Sequence, residues 1–301
     1  MNPFSIMVDT GCDLPDEYID AHGIKTIPIS FNLDGVQHSS GRWQEISAVA
    51  FYTALANGSM AGTALINPET YVDVFTEYAE RGEELLVITL SSGLSGTFQN
   101  SRIALDEVKR KYPDCKIFTV DSANACGGIG LLTTLAVKKR DEGLGLAETV
   151  TWLDEKKQSC ISLFTVDDLM FLHRGGRLGK VSAVAGRIIG IKPLLNVAPD
   201  GTLKLKDKAR GRNGALERLV GQMKRSLNNG TKLDTVIICH SNCEEDARKV
   251  ATLVKSAVSV REVVITMMGP VIGAHTGPGT IAMFFEADMS RIEYERKFYS
   301  K

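Results

Sequence analysis

Leu85-Leu86-Val87-Ile88-Thr89-Leu90, followed by Ser91-Ser92-Gly93-Leu94-Ser95-Gly96-Thr97, constrains the fold more than any other stretch of this chain. Six apolar or β-branched residues bounded by a Gly/Ser cluster describe a strand buried on both faces. From Thr97 the period changes. Phe98, Ser101, Ile103-Ala104, Leu105 and Val108 fall at helical spacing, with Lys109, Arg110 and Lys111 in the last turn and Pro113 just beyond. A serine- and glycine-rich loop thus joins the carboxyl end of a buried strand to the amino end of a helix. Such a junction turns unpaired backbone N–H groups and a positive dipole end toward the crevice above a sheet. The loop adds hydroxyl donors and no charge, which suits a small anion, a carboxylate or a phosphate.

The chain is long enough, at 301 residues, to bury a large core and to form two domains. Its formal charge of -1 and the lack of a basic stripe argue against nucleic acid as a main partner. No apolar run approaches the ~20 residues needed to span a bilayer. Met1-Asn2-Pro3-Phe4 lacks the basic and apolar regions of a signal peptide. The six scattered cysteines read as reduced thiols, and the expected location is cytoplasmic.

In chain order, Phe4–Val8 reads as a first strand and Asp9–Pro15 as the turn after it. Ile24–Phe31 reads as a second strand ending at the turn pair Asp34-Gly35. Ile46–Leu55 is a helix stopped by Asn57-Gly58. Gly62–Pro68 is a loop leading into a helix from Glu69 to Glu80. After the central strand and helix come a strand Lys116–Val120, a loop at Asp121–Ala125, and helices Gly127–Lys139 and Leu146–Lys157. The βαβα alternation argues a mostly parallel sheet with helices on both faces.

Beyond residue 160 the pattern changes. Ile161–Val166 is a strand, and 167–187 is a segment bearing glycines and arginines. Pro193–Val197 and Thr202–Lys206 flank Pro199-Asp200-Gly201, a hairpin with suitable turn chemistry. Arg212–Leu227 and Cys243–Val258 are helices, and Thr235–Cys239, Glu262–Met267 and Ile281–Phe285 are strands. Gly269–Gly279 is a rigid Gly/Pro-punctuated loop. The expected division is 1–160, carrying the anion-binding loops, and 161–301, carrying the hairpin and the histidine loop.

Several candidate sites compete. Gly93–Thr97 invites comparison with the nucleophile elbow of α/β hydrolases, but Thr97 stands where the final glycine belongs. Asp121 or Asp167, then His275, would complete a triad with Ser95. Anion binding by the serine is preferred over attack on a carbonyl, and a turn that merely caps its helix is the third reading. Gly175–Val181 fails the phosphate-loop pattern, since Val181 replaces the required Ser/Thr. Cys239-His240-Ser241-Asn242-Cys243 has metal-ligand residue types but no second pair to complete a tetrahedron. His275 lies between two Gly-Pro elements, which suits close approach of a ligand. Arg174, Arg177, Arg187, Arg210 and Arg212 are more often a solvated surface than a site; the glycines around some of them favour phosphate or an acidic partner.

Val8–Pro15, Ser91–Thr97, Val120-Asp121-Ser122, the Asp167–Arg177 segment, Ile191–Leu195 and Gly269–Gly279 together resemble the DegV family, in that family's order and over nearly the whole chain. The resemblance implies an α/β, two-domain fold: an N-terminal, mostly parallel Rossmann-like sheet and a C-terminal α/β domain with a mixed or antiparallel sheet. It implies a bacterial cytosolic protein that binds a long-chain fatty acid as carrier subunit of a two-component fatty acid kinase. Thr63, Ser95 and His275 match the family's carboxylate-site motifs, and the Gly96 N–H would add a donor. Arg177 and Arg210 match arginines associated with phosphate and the partner kinase. The chain departs from the family at Ala64-Leu65-Ile66, where a polar Ser-Gln-Pro is usual, and at Gly11-Cys12, where a Thr-Ala-like pair is common.

The expectation is therefore a non-catalytic, monomeric carrier without metal or cofactor. Its partners would be a fatty acid, an ATP-dependent kinase subunit and, for lipid exchange, a transient membrane surface. The rivals are a serine acyl-hydrolase using Ser95 and His275, and a lipid-sensing regulator without a kinase.

Overall fold

The computed structural model describes residues 3–39, 43–178 and 190–299. The first half of the chain builds a parallel sheet from β1 (Ser5–Asp9), β2 (Lys25–Ile27), β6 (Leu85–Thr89) and β7 (Ile117–Asp121), in the order β2-β1-β6-β7. β6 pairs with β1 and β7 and is buried at every position, as its uninterrupted apolar run requires. α3 (Pro68–Arg81) and α4 (Thr97–Lys111) pack together against β7. α5 (Gly127–Asp141) and α6 (Leu146–Lys156) pack together against β6.

The second half builds a mixed sheet in the order β10-β9-β8-β13-β11-β12. Its strands are β8 (Cys160–Thr165), β9 (Ile191–Val197), β10 (Leu203–Arg210), β11 (Lys232–His240), β12 (Ser259–Met267) and β13 (Ile281–Glu286). Only β11 and β12 run parallel; the other pairs are antiparallel. The hairpin expected at Asp200-Gly201 joins β9 to β10, with Gly201 at φ 74°. α8 (Gly211–Arg225) and α9 (Glu244–Ala257) share an apolar cluster with this sheet.

α5 connects the two sheets. It touches β1 and β6 on one side and β8, β11 and β13 on the other. Eleven of its fifteen residues are buried, which fits a helix with no polar face. Gly127 permits this approach: a Cβ there would lie 2.7 Å from the Phe284 ring and 2.8 Å from Cys239 Sγ. One apolar cluster consequently runs from Ile6 and Leu86 through Ile129 to Ile237 and Phe284.

Four local readings change. Ile24–Phe31 is not one strand. Pro28 lacks an N–H for a ladder, and the segment divides into β2 and β3 (Phe31–Leu33), which belong to different sheets. β3 forms a small antiparallel sheet with β4 (Val36–His38) and β5 (Ala61–Thr63), so part of the expected 62–68 loop is strand. Gly269–Gly279 holds a helix, α10 (Pro270–Thr276), with Pro270 opening it and Gly277 at φ 73° closing it. α1 (Asp16–Ala21), α7 (Met170–Arg174) and α11 (Arg291–Tyr299) occupy segments where no helix was expected.

α2 (Ala48–Ala56) begins at Ser47, whose Oγ accepts from the Ala50 N–H at 3.2 Å. Phe51, Tyr52 and Leu55 of α2 pack with Phe31 and Ala274, seating α10 against the small sheet. No helix among the described residues is long and apolar enough to cross a membrane. Gly179, Lys180, Val181 and Arg187 lie outside the described residues.

Candidate functional site

Four segments converge where the two sheets meet. Thr63 ends β5, Ser95 lies in the loop before α4, Arg177 follows α7, and His275 occupies the last turn of α10. Thr63 Oγ1 and His275 Nε2 are 2.8 Å apart. Arg177 joins the other pieces. Its Nε donates to Leu94 O at 3.1 Å, beside Ser95, and a terminal N–H donates to Gly175 O. Gly175 in turn backs the imidazole, since a Cβ there would fall 2.2 Å from His275 Nδ1.

The end of β1 and the loop after it hold two of these segments in place. Asp9 accepts from the Gly11 N–H at 2.9 Å and from the Leu90 N–H at 2.5 Å, fixing the start of the Ser91–Gly96 loop. Asp13 Oδ1 accepts from the Gly269 N–H at 2.8 Å, fixing the start of α10. Tyr52 Oη donates to Met268 O at 2.6 Å, one residue earlier. Burial pushes the Asp9 carboxyl up to about 6 and the Asp13 carboxyl up to about 7, against the backbone N–H bonds that favour the anions.

A cavity of about 890 Å³, solvent at its mouth included, borders this cluster. Leu90, Phe164, Leu172, Val271, Ala282 and Phe284 give it apolar walls, while Thr63, Ser95, Arg177 and His275 also line it. Burial, reinforced by the Arg177 charge, pushes the His275 imidazole down to about 4, so the ring is neutral at pH 7. A neutral ring serves Thr63 in a definite way. If Nε2 carries the proton and donates to Thr63 Oγ1, the threonine hydroxyl proton is free for a ligand. Nδ1 then keeps its lone pair against Gly175, with no hydrogen-bond partner among the described residues. Ser95 Oγ accepts from the Thr97 N–H at 3.2 Å and lies 3.0 Å from Thr97 Oγ1, which orients it at the amino end of α4.

The arrangement does not assemble a hydrolytic triad. Asp121 accepts from Ser92 Oγ at 2.5 Å and from the Ser92 N–H at 3.2 Å. Asp167 faces Lys192 at 2.6 Å and Arg212 at 3.4 Å. Neither meets His275, whose Nε2 is directed at Thr63 and whose Nδ1 has, among the described residues, no orienting carboxylate of the kind a catalytic base needs.

Two expected residues stand apart from the cavity lining. Gly96 is exposed at the start of α4, and a Cβ on it would meet the Leu65 side chain at 3.4 Å. Arg210 is exposed at the end of β10, opposite Ile191. Leu65, the apolar departure noted in the sequence, borders the cavity and is half exposed. The bracing by Asp9 and Asp13 was not read from the sequence. Two aspartates flanking a glycine directly after a buried strand were the available signal.

The chain is similar to known proteins over nearly its whole length. The family profile described as "Uncharacterised protein, DegV family" matches residues 3–288. A DegV domain-containing protein of Clostridium perfringens is 36% identical over 288 residues, covering 96% of this chain and 99% of its own. A Thermotoga maritima structure described as revealing fatty acid binding function is 28% identical with a TM-score of 0.83, covering 95% of this chain and 100% of that one. A DegV family protein from Thermus thermophilus, described by its fatty acid binding, is 26% identical with a TM-score of 0.85, covering 95% and 99%.

Proposed function

The chain belongs to the DegV family, and from that membership we propose that it binds one long-chain fatty acid and presents the carboxylate to a separate kinase subunit. The observation that carries the reading is the cavity: apolar walls bordered by a contiguous polar cluster of Thr63, Ser95, Arg177 and His275. A carboxylate leaving water needs several donors. Thr63 and Ser95 hydroxyls supply them, His275 fixes the Thr63 proton, and the amino end of α4, at Gly96, adds its dipole. The acyl chain gains ~0.8 kcal/mol per buried methylene, so ~15 methylenes give on the order of 10 kcal/mol before the costs of association.

The chemistry then belongs to the partner, which brings ATP, and this chain acts as a monomeric, non-catalytic cytoplasmic carrier. A division into domains at 160/161 puts Thr63 and Ser95 on one side and Arg177 and His275 on the other. The head-group site is then complete only when both are folded and docked.

Native mass spectrometry of the purified protein, with and without added palmitate or oleate, tests the binding. One bound fatty acid per chain in the wild type, lost on Ser95→Ala, is the expected result. A wild-type protein that takes up neither lipid overturns the proposal. Phosphorylation of the bound lipid by a kinase subunit and ATP, with no covalent labelling of Ser95 by a fluorophosphonate, separates the carrier from a hydrolase. Lipid uptake with no productive kinase would leave the sensing role instead.

A further inference from the structure

Thr63, Arg177 and His275 line two cavities. Beyond the apolar one lies a second space of about 620 Å³, solvent included, walled by the backbone stretch Ser59–Thr63, Phe171, Arg174, Gly175 and Ala274. Its lining differs in kind from that of the first. Among the described residues it contains two guanidinium groups, Arg174 and Arg177, and no carboxylate.

Arg174 is held ready but weakly engaged. Its guanidinium carbon lies 4.7 Å from the centroid of the Phe171 ring, and one N–H meets Met60 Sδ at 3.3 Å. A thioether is a poor acceptor for a group with five donors, and no carboxylate among the described residues pairs with it. The aromatic face sets the plane of the guanidinium without using its N–H edge. Arg177 is half-buried, and two of its N–H groups already bind Leu94 O and Gly175 O. Four N–H donors thus remain on Arg174 and three on Arg177, and Arg177 is anchored to the backbone while Arg174 is not.

Resting on the fatty-acid reading above, we propose that this outer chamber is a phosphoryl subsite, with Arg174 as its principal ligand. It takes the phosphate of an acyl phosphate whose chain remains in the inner cavity. In the transfer, an oxygen of the bound carboxylate forms a bond to the γ-phosphorus of a nucleoside triphosphate held by the partner. The bond from that phosphorus to the bridging oxygen breaks, and its electron pair leaves with the nucleoside diphosphate. No proton moves on this chain. The new phosphate lies beyond the Thr63–His275 pair, on the side of Arg174. A planar fork of donors is suited to a tetrahedral dianion.

The test compares two stable probes, palmitate and hexadecyl phosphate, by isothermal titration with wild type, Arg174→Ala and Arg174→Lys. Arg174→Ala is expected to keep palmitate affinity within about threefold of wild type. It should weaken hexadecyl phosphate by about 10- to 100-fold, the worth of a hydrogen bond between charged groups. Arg174→Lys should fall between the two, keeping the charge without the fork. Equal losses for both probes, or no loss for the phosphate, overturn the subsite. Failure of wild type to bind palmitate overturns the fatty-acid reading itself and is seen separately. Inorganic phosphate, added as a competitor, should displace neither acyl probe at millimolar concentration. Displacement of hexadecyl phosphate by it would mean that the chamber holds free phosphate rather than the head of an acyl ligand, and would also overturn the proposal.

Discussion

Gly175 lies so close to the imidazole of His275 that a single added Cβ would stand 2.2 Å from Nδ1. The backbone of Gly175, at φ -70° and ψ -7°, would itself accept alanine. The constraint is therefore the ring and not the chain. Gly175→Ala is expected to displace His275 from Thr63 and to weaken fatty acid binding by about tenfold or more. In a His275→Ala background the same substitution should cost little further. A full double-mutant cycle on palmitate affinity measures the difference, and simple additivity would place the constraint elsewhere.

Thr63→Val keeps the shape of the side chain and removes its hydroxyl. Palmitate affinity should fall by about 10- to 100-fold, the range for a hydrogen bond to a charged group. Thr63→Ser should restore most of it. Unchanged affinity for the valine variant would remove Thr63 from the carboxylate site.

His275 links stability to pH in one direction. Its folded-state value of about 4 lies below the ordinary 6.5, because burial and Arg177 disfavour the cation. The unfolded chain therefore takes up a proton that the folded chain refuses. The stabilising contribution is present above pH 6.5 and is lost as pH falls toward 4, amounting to about 3 kcal/mol at most. Chemical denaturation of wild type and His275→Gln from pH 4 to 7 should show the wild type losing more stability on acidification.

Asp13 acts with the opposite sign. Its carboxyl, pushed up to about 7 by burial, stays protonated in the folded protein well above the 3.8 of the free group. This contribution is full below 3.8 and is lost as pH rises through 7. Asp13→Asn keeps an acceptor for the Gly269 N–H but removes the titration. The stability of the variant relative to wild type should rise between pH 4 and 7 in the same denaturation series, and a flat difference would show that Asp13 does not titrate there.

Much of the site was legible because it rests on local patterns. The uninterrupted run Leu85–Leu90 can only be a two-faced buried strand, and the Ser/Gly loop beyond it marks the start of α4. The meeting of Thr63 with His275 was not legible from local spacing, since 212 residues separate them. It was implied only through the family resemblance. The helix inside Gly269–Gly279 is hidden by composition, since glycine and proline in such density describe a loop. The order matters more than the composition, since proline first and glycine last is how a short helix is bounded. The partnership of Asp9 with Leu90 depends on β6 pairing beside β1, and that of Asp13 with Gly269 on the segment before α10 returning to the loop after β1; no single-strand or single-helix pattern encodes either.

The shared position of α5 between the sheets has one more consequence. Leu90, Cys126, Phe164, Leu172, Met268, Val271 and Phe284 belong to the continuous core that α5 helps to close, and the same side chains line the inner cavity. An acyl chain in that cavity would thus be a removable part of the core, supplied from outside the polypeptide. Loading and folding are then one equilibrium: every tenfold rise in free lipid above its dissociation constant adds about 1.4 kcal/mol to the stability of the protein. A carrier built this way reports its cargo through its own melting temperature.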